Sequence, residues 1–160
     1  MRGISKSSAY QILNTLERRG YVRHAGESHK YSLGLRLFEL GTQTVSYLDI
    51  RTEAMPTLRE LVAKTNETCN LGILDGTVGV YPAKVEGTQA VRLNSYEGKR
   101  LPLHSTAMGK VLLAWREEDL DTLLQDIELT SFTEDTIVEK QKLKENLKLL
   151  RDRGWAQGYG

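Results

Sequence analysis

The first part of the chain combines a helical spacing of apolar residues with a short alternating stretch. The spacing predicts one buried stripe of a helix that begins near Ser5 and ends at Gly20. Residues 21–23 and 30–33 predict the two strands of a hairpin, with a polar turn over residues 24–29. The stripe lies at i, i+3, i+4 and i+7 and consists of Ala9, Ile12, Leu13 and Leu16.

The opposite face of this helix carries polar side chains from its first turn onward. Base edges and phosphate oxygens are contacted by short polar groups and a few long donors, so such a face suits a helix in a DNA major groove. Arg23 and Lys30, near the base of the hairpin, are expected to contact the DNA backbone. The alternative is a generic amphipathic helix and hairpin with a solvated polar face. The candidate DNA-binding residues of the helix are Ser5, Lys6, Ser7, Ser8, Tyr10, Gln11 and Asn14.

The remainder of the chain mixes both periodicities and predicts an α+β fold. A linker helix over residues 35–50 is expected to pack on a neighbour, either its own domain or the same helix of a second subunit. Three strands on short turns then predict an antiparallel sheet, and residues 98–104 predict a loop. The strands are expected at 69–74, 78–85 and 90–94, the helices at 52–66, 105–115, 117–126 and 134–153, and a last strand begins at 155.

Charge is divided unevenly along the chain. Residues 1–36 contain seven Lys and Arg and two Glu, a net charge of +5, although the net charge of the whole chain is only +1. A positive head on an acidic body suits a phosphate-binding module joined to a regulatory domain. No apolar run reaches the roughly 18 to 20 residues of a membrane span and no secretory signal is visible, so a cytoplasmic protein is expected. The single cysteine, Cys69, lies in no metal-ligand spacing, so neither a metal nor a cofactor is predicted.

Four stretches of sequence resemble the IclR family of transcriptional regulators. They are residues 4–13, 16–22, 31–34 and, most specifically, 101–110, which read LPLHSTAMGK. The resemblance implies a winged helix-turn-helix, a linker helix and a GAF-like effector-binding domain. It assigns a partial winged helix-turn-helix to 1–34, the linker helix to 35–50 and an incomplete effector domain to 51–160. It also implies truncation at both ends, with two supporting helices missing before residue 1. Gln11 stands where the family often has arginine, which leaves the operator sequence open.

The resemblance further implies an effector, frequently a carboxylate, held by backbone amides where a loop enters a helix. Those amides belong to Ala107 and Met108, with Thr106 beside them. Free N–H groups and the positive dipole end of a helix form an anion site without a charged side chain. The alternative is that Ser105 and Thr106 only cap the helix while the leucines are core. The apolar wall is expected from Leu93, Leu101, Leu103 and Met108.

These residues favour a regulator that binds an operator in double-stranded DNA and responds to a small organic acid or sugar acid. Such a regulator is expected to act as a homodimer or homotetramer, without a membrane. A small-acid-binding sensory module without DNA binding is the alternative. An enzyme is not expected, because the adjacent pair His104 and Ser105 rarely face each other and no nucleophile elbow accompanies them.

Overall fold

The computed structural model describes residues 4–26, 30–46, 49–89, 94–116 and 120–158, and the chain divides into two compact units between Ile50 and Arg51. The first unit contains a helix, a two-stranded antiparallel hairpin and a second helix. Both strand predictions hold to within a residue. The elements are α1 (Lys6–Arg18), β1 (Val22–His24), β2 (Tyr31–Leu33) and α2 (Leu35–Ser46).

Helix α1 begins where a side chain can replace the missing helical hydrogen bond. The Ser5 hydroxyl accepts a hydrogen bond from the Ser8 amide at 3.1 Å, which is the geometry of an N-cap. The helix ends before Gly20, whose φ of 76° turns the chain into the hairpin. No α1 side chain is fully buried, and Ile12 stays 50% exposed. The predicted stripe is therefore only half-buried.

The hairpin is joined to α1 by backbone contacts. The Tyr21 amide donates to the Leu16 carbonyl at 2.9 Å, and the Gly34 amide donates to the Tyr21 carbonyl at 2.8 Å. Gly34 is buried against the Gly20 carbonyl, and a Cβ built on Gly34 would lie 2.0 Å from that oxygen. The backbones at Gly20 and Gly34 therefore lie too close together for any residue with a Cβ at position 34.

Helix α2 covers residues 35–46 of the linker helix expected over 35–50. Residues 47 and 48 lie outside the described residues, and residues 49 and 50 are helical and open α3. Among the described residues, the second unit carries most of α3, a three-stranded sheet and three further helices. In chain order the elements are α3 (Asp49–Thr65), β3 (Cys69–Asp75), β4 (Val78–Val85), β5 (Arg100–Pro102), α4 (Ala107–Ala114), α5 (Leu120–Asp126) and α6 (Lys140–Arg153).

The sheet has the strand order β3-β4-β5 and is antiparallel throughout. Gly76, with φ of 59°, makes the tight turn between β3 and β4, and both strands lie where they were predicted. The third strand is a correction, because residues 100–102 were predicted as loop and instead pair with Val78–Val80. Three residues ending in a proline give no alternating pattern to detect. Of the strand expected at 90–94, only Asn94 falls within the described residues, and it is not in a strand.

The core of the second unit consists of leucines from α4, α5 and α6 together with the turn before α4. Helix α6 starts six residues later than expected, because the Thr136 hydroxyl accepts hydrogen bonds from the amides of Phe132 and Thr133, at 3.2 and 2.9 Å, and holds a turn there. None of the described helices is long and apolar enough to cross a membrane. The fully buried leucines are Leu103, Leu113, Leu124, Leu143, Leu147 and Leu150.

Candidate DNA-binding surface and effector site

The polar residues of α1 separate into two groups. Ser7, Gln11 and Asn14 lie at i, i+4 and i+7 on one exposed face, and Lys6 and Tyr10 continue this face on its flank. All five side chains are exposed, Tyr10 by 65%. We call these five residues the α1 polar face. Exposed polar side chains on one helical face can contact base edges in a major groove.

The other two predicted residues of α1 serve its N-terminus. The hydroxyls of Ser5 and Ser8 lie 2.9 Å apart, and Ser5 also accepts the amide of Ser8. Both residues are nevertheless exposed at the helix end, where serine hydroxyls and backbone N–H groups can meet a phosphate.

The hairpin presents both of its predicted cations. The Arg23 Nε donates to the Ser32 hydroxyl of the facing strand at 3.2 Å, which holds the arginine across the hairpin. Lys30 is exposed, and its carbonyl accepts the Ala25 amide at 2.9 Å. Both residues therefore lie on the hairpin that follows the α1 polar face in sequence, and residues 27–29 of its turn lie outside the described residues.

A link between α1 and the hairpin was not predicted. The Glu17 carboxylate accepts a hydrogen bond from the His24 backbone amide at 3.1 Å, and one of its oxygens lies 2.6 Å from His24 Nδ1. The hydrogen bond from the His24 side chain lowers the pKa of Glu17 below its ordinary value. Glu17 lies in α1 and His24 in β1, so no periodicity within one element predicts their contact and only the folded structure reveals it.

The predicted effector site begins at the N-cap of α4. The Thr106 hydroxyl accepts the Gly109 amide at 3.0 Å and donates to the Pro102 carbonyl at 2.8 Å. Within the described part of the chain, the amides of Ala107 and Met108 donate to no acceptor. Two N–H groups at the positive end of a helix are thus available to an anion, while the hydroxyl beside them is occupied by capping.

Glycines bring the neighbouring segments close to these amides. A Cβ on Gly72 of β3 would lie 2.5 Å from the Met108 sulfur, so the thioether lies directly over the sheet. A Cβ on Gly158 would lie 3.5 Å from the Ala107 nitrogen, so the segment after α6 passes beside the helix start. Met108 and the Gly158 backbone therefore border the amides on two sides.

Two leucines of the predicted apolar wall line a cavity of their own. Leu101 and Leu103 line a cavity of about 340 Å³ together with His104 and Phe132, and neither Ala107 nor Met108 is among its lining residues. Leu103 is completely buried and belongs to the core. A role of the two leucines in the effector site therefore stays a prediction. Leu93 lies outside the described residues.

The pair considered for catalysis is not arranged for it. His104 is buried, and its Nε2 lies 2.9 Å from the Thr130 carbonyl oxygen. In the described structure, no hydrogen bond joins the His104 ring to the Ser105 hydroxyl. Among the same residues, no group of His, Cys, Asp and Glu is placed to hold a metal ion.

Known proteins resemble the chain over nearly its whole length. Residues 42–159 match the family described as "Bacterial transcriptional regulator IclR C-terminal", and residues 2–26 match the "IclR helix-turn-helix domain". The HTH-type transcriptional regulator XynR of Escherichia coli is 43% identical over 157 residues, which are 98% of this chain and 62% of that protein. KdgR of Dickeya chrysanthemi is also 43% identical, over 96% of this chain and 51% of that protein.

Solved structures give the same result. The crystal structure of Thermotoga maritima IclR superimposes with a TM-score of 0.73 at 36% identity, covering 96% of this chain and 62% of that one. The helix-and-hairpin head and the α/β body thus match two domains found in helix-turn-helix regulators. The chain belongs to the IclR family. These relatives are regulators, in agreement with the expectation that the protein is not an enzyme. The chain spans between about half and two thirds of their length.

Proposed function

We propose that the full-length protein encoded by the gene is a transcriptional regulator whose affinity for a double-stranded DNA operator is controlled by a small organic or sugar acid. The observation that carries the proposal is the exposed α1 polar face on a capped helix, followed by a hairpin that presents Arg23 and Lys30. We assign DNA binding to residues 1–34, the linker to 35–50 and the acid to 51–160. The proposed regulator is a cytoplasmic homodimer or homotetramer.

DNA binding is tested with the full-length protein and an operator selected from random duplexes. Because Lys6 is an exposed cation, Lys6→Ala is expected to weaken binding to every sequence and to reduce the slope of log affinity against log salt by about 1. Gln11→Ala is expected to weaken the free energy of binding to the selected operator by about 1–3 kcal/mol, and that to random DNA only slightly, because a side-chain amide can form hydrogen bonds with a base edge.

A matched control is Lys148→Ala, which removes an exposed lysine from α6 in the second unit. This variant should keep both the wild-type affinity and the salt slope. The proposal is contradicted if the protein does not bind DNA at low salt, or if Lys6→Ala and the control bind DNA with equal affinity. Either result favours an acid-binding module that does not bind DNA.

The acid site is tested at the first residue of α4. Proline is tolerated at the first helical position, and Thr106 already has the extended ψ of 150° that suits a residue before proline. Ala107→Pro therefore removes one of the two available amides with little effect on the fold. The probes are short carboxylates, sugar acids and 4-hydroxybenzoate, the acid bound by a family homolog from Microbacterium hydrocarbonoxydans.

Acids that raise the melting temperature of the wild type should also change its operator affinity, because a ligand that distinguishes two states shifts their populations. Ala107→Pro is expected to weaken the active acid about tenfold by removing a charge-assisted hydrogen bond. An acid that alters DNA binding equally in wild type and Ala107→Pro would show that these amides are not its site.

A further inference from the structure

Glu17 is an acidic residue at a position where the charges of the helix and of DNA both disfavour one. It lies in the last turn of α1, directly before Arg18, the last residue of the helix. The carboxyl end of a helix carries partial negative charge, so cations stabilise it and anions do not. We also assign DNA binding to α1, and phosphates repel a carboxylate. Neither the helix nor a duplex therefore accounts for an acid at this position.

The contacts of the Glu17 carboxylate lie on the hairpin. One carboxylate oxygen accepts a hydrogen bond from the His24 backbone amide at 3.1 Å and lies 2.6 Å from His24 Nδ1. The shorter distance is that of a charge-assisted hydrogen bond. The two side chains are 32% and 46% exposed, so water weakens what the pair adds to stability. The main effect of the contact is therefore to hold one hairpin residue against the end of α1.

This contact extends to both strands of the hairpin. His24 of β1 pairs with Tyr31 of β2, and the centroids of the two rings lie 4.4 Å apart. The two predicted phosphate-binding cations are chain neighbours of these rings, because Arg23 precedes His24 and Lys30 precedes Tyr31. A movement of the ring pair relative to α1 would therefore displace both cations relative to α1.

We propose that Glu17 is a positioning residue for DNA binding, which holds the hairpin so that Arg23 and Lys30 reach the same duplex as the α1 polar face. This role rests on the DNA binding proposed above. Two contact surfaces held at the correct spacing bind more tightly than two that must first be ordered, since the cost of ordering is met during folding. The carboxylate of Glu17 contributes this order without contacting DNA itself.

Glu17→Ala tests the role in the full-length protein with the selected operator. By charge alone, removing an anion should strengthen DNA binding. The positioning role predicts the opposite, an affinity about tenfold lower and a slope of log affinity against log salt smaller by about 1 to 2, because the hairpin cations no longer reach phosphates. Glu17→Gln keeps an oxygen that can accept the His24 amide, so it should retain more affinity than Glu17→Ala.

A matched control is Glu39→Ala, which also removes an exposed acidic residue from the first unit. Glu39 lies in α2, and its carboxylate lies 2.6 Å from the guanidinium of Arg36 in the same helix. This variant loses the same charge as Glu17→Ala and leaves the contact with His24 in place. It should bind the operator at least as tightly as the wild type does.

Lysine substitutions in both backgrounds separate positioning from a loss of stability. Lys30→Ala should weaken operator binding in the wild type and have little further effect in Glu17→Ala, because the hairpin is already displaced there. Lys6→Ala, on the α1 polar face, should have its full effect in both backgrounds. If Glu17→Ala only lowered the folded fraction, both lysine substitutions would keep their wild-type effects in it.

The outcomes distinguish this role from the proposed function. If the wild type does not bind duplex DNA at low salt, the proposed DNA binding is wrong and the role of Glu17 is wrong with it. If the wild type binds but Glu17→Ala binds as tightly as Glu39→Ala, only the positioning role is wrong. The same holds if Lys30→Ala weakens binding equally in the wild type and in Glu17→Ala.

Discussion

Gly34 follows β2 and lies against the turn between α1 and β1, and its replacement by alanine tests how this junction is built. The new Cβ would lie 2.0 Å from the Gly20 carbonyl oxygen and 2.9 Å from the Tyr21 carbonyl carbon. Both atoms belong to the backbone, so neither can rotate away as a side chain would. Because ordinary non-bonded contacts are about 3.5 Å, the two segments must separate by roughly 1.5 Å.

The cost of this separation follows from the contacts that span the junction. The Gly34 amide donates to Tyr21 at 2.8 Å, and the Arg36 amide donates to Gly20 at 3.3 Å. Losing both costs about 1 kcal/mol each, and the residual overlap adds at least about 1 kcal/mol. The first unit should therefore lose about 3 kcal/mol, a factor of roughly a hundred in its opening equilibrium.

Amide hydrogen exchange of the full-length protein measures this loss separately in each unit. In Gly34→Ala, protection of α1 and the hairpin should fall about a hundredfold, while amides of α6 exchange at wild-type rates. Operator affinity should fall as well, because the hairpin carries Arg23 and Lys30.

The matched control makes the same substitution in an open position. A Cβ on Gly41 of α2 meets no atom within 4 Å, so Gly41→Ala should stabilise the helix by about 1 kcal/mol. Hydrogen exchange of the α2 backbone amides should therefore be slower in Gly41→Ala than in the wild type. If Gly34→Ala protects the first unit as well as the wild type does, the close approach of the two backbones is not what holds the hairpin.

Three further results are expected. Because His24 lowers the pKa of Glu17, their contact stabilises the first unit at pH above the ordinary carboxyl range, and this stabilisation is lost as the pH falls through the folded-state pKa. Glu17→Gln should therefore make the protection of α1 amides from hydrogen exchange less dependent on pH in this acid range. Leu143→Ala should lower the free energy of unfolding by about 2–5 kcal/mol in urea titrations, since Leu143 is completely buried. Gly72→Ala should cost less than about 1.5 kcal/mol, because the Met108 thioether can move aside, yet change the affinity for probe acids; unchanged affinity would place Met108 outside the acid site.

The parts of the fold that depend on local sequence were predictable. Ser5 at the N-cap, Gly20 after the helix and Gly76 in the hairpin turn each determine the backbone within a few residues. The parts that depend on distant partners were not. Strand β5 exists because Leu101 pairs with Gly79, and α6 starts late because Thr136 holds a local turn that helix periodicity does not report.

The candidate sites divide in the same way. The amides at the start of α4 follow from a helix preceded by a capping residue, and the sequence displays that directly. The burial of Leu103 in the core and the contact of Glu17 with His24 depend on which elements pack together.

The packing of α4 holds the amides at its start in place. A Cβ on Gly109 would lie 2.5 Å from both the Leu103 Cα and the Pro102 oxygen, so the helix backbone rests directly on the turn before it. That contact fixes the amides of Ala107 and Met108 without any side chain that could rearrange, which preorganises them for an anion. The amide site should therefore discriminate acids by shape, through Met108.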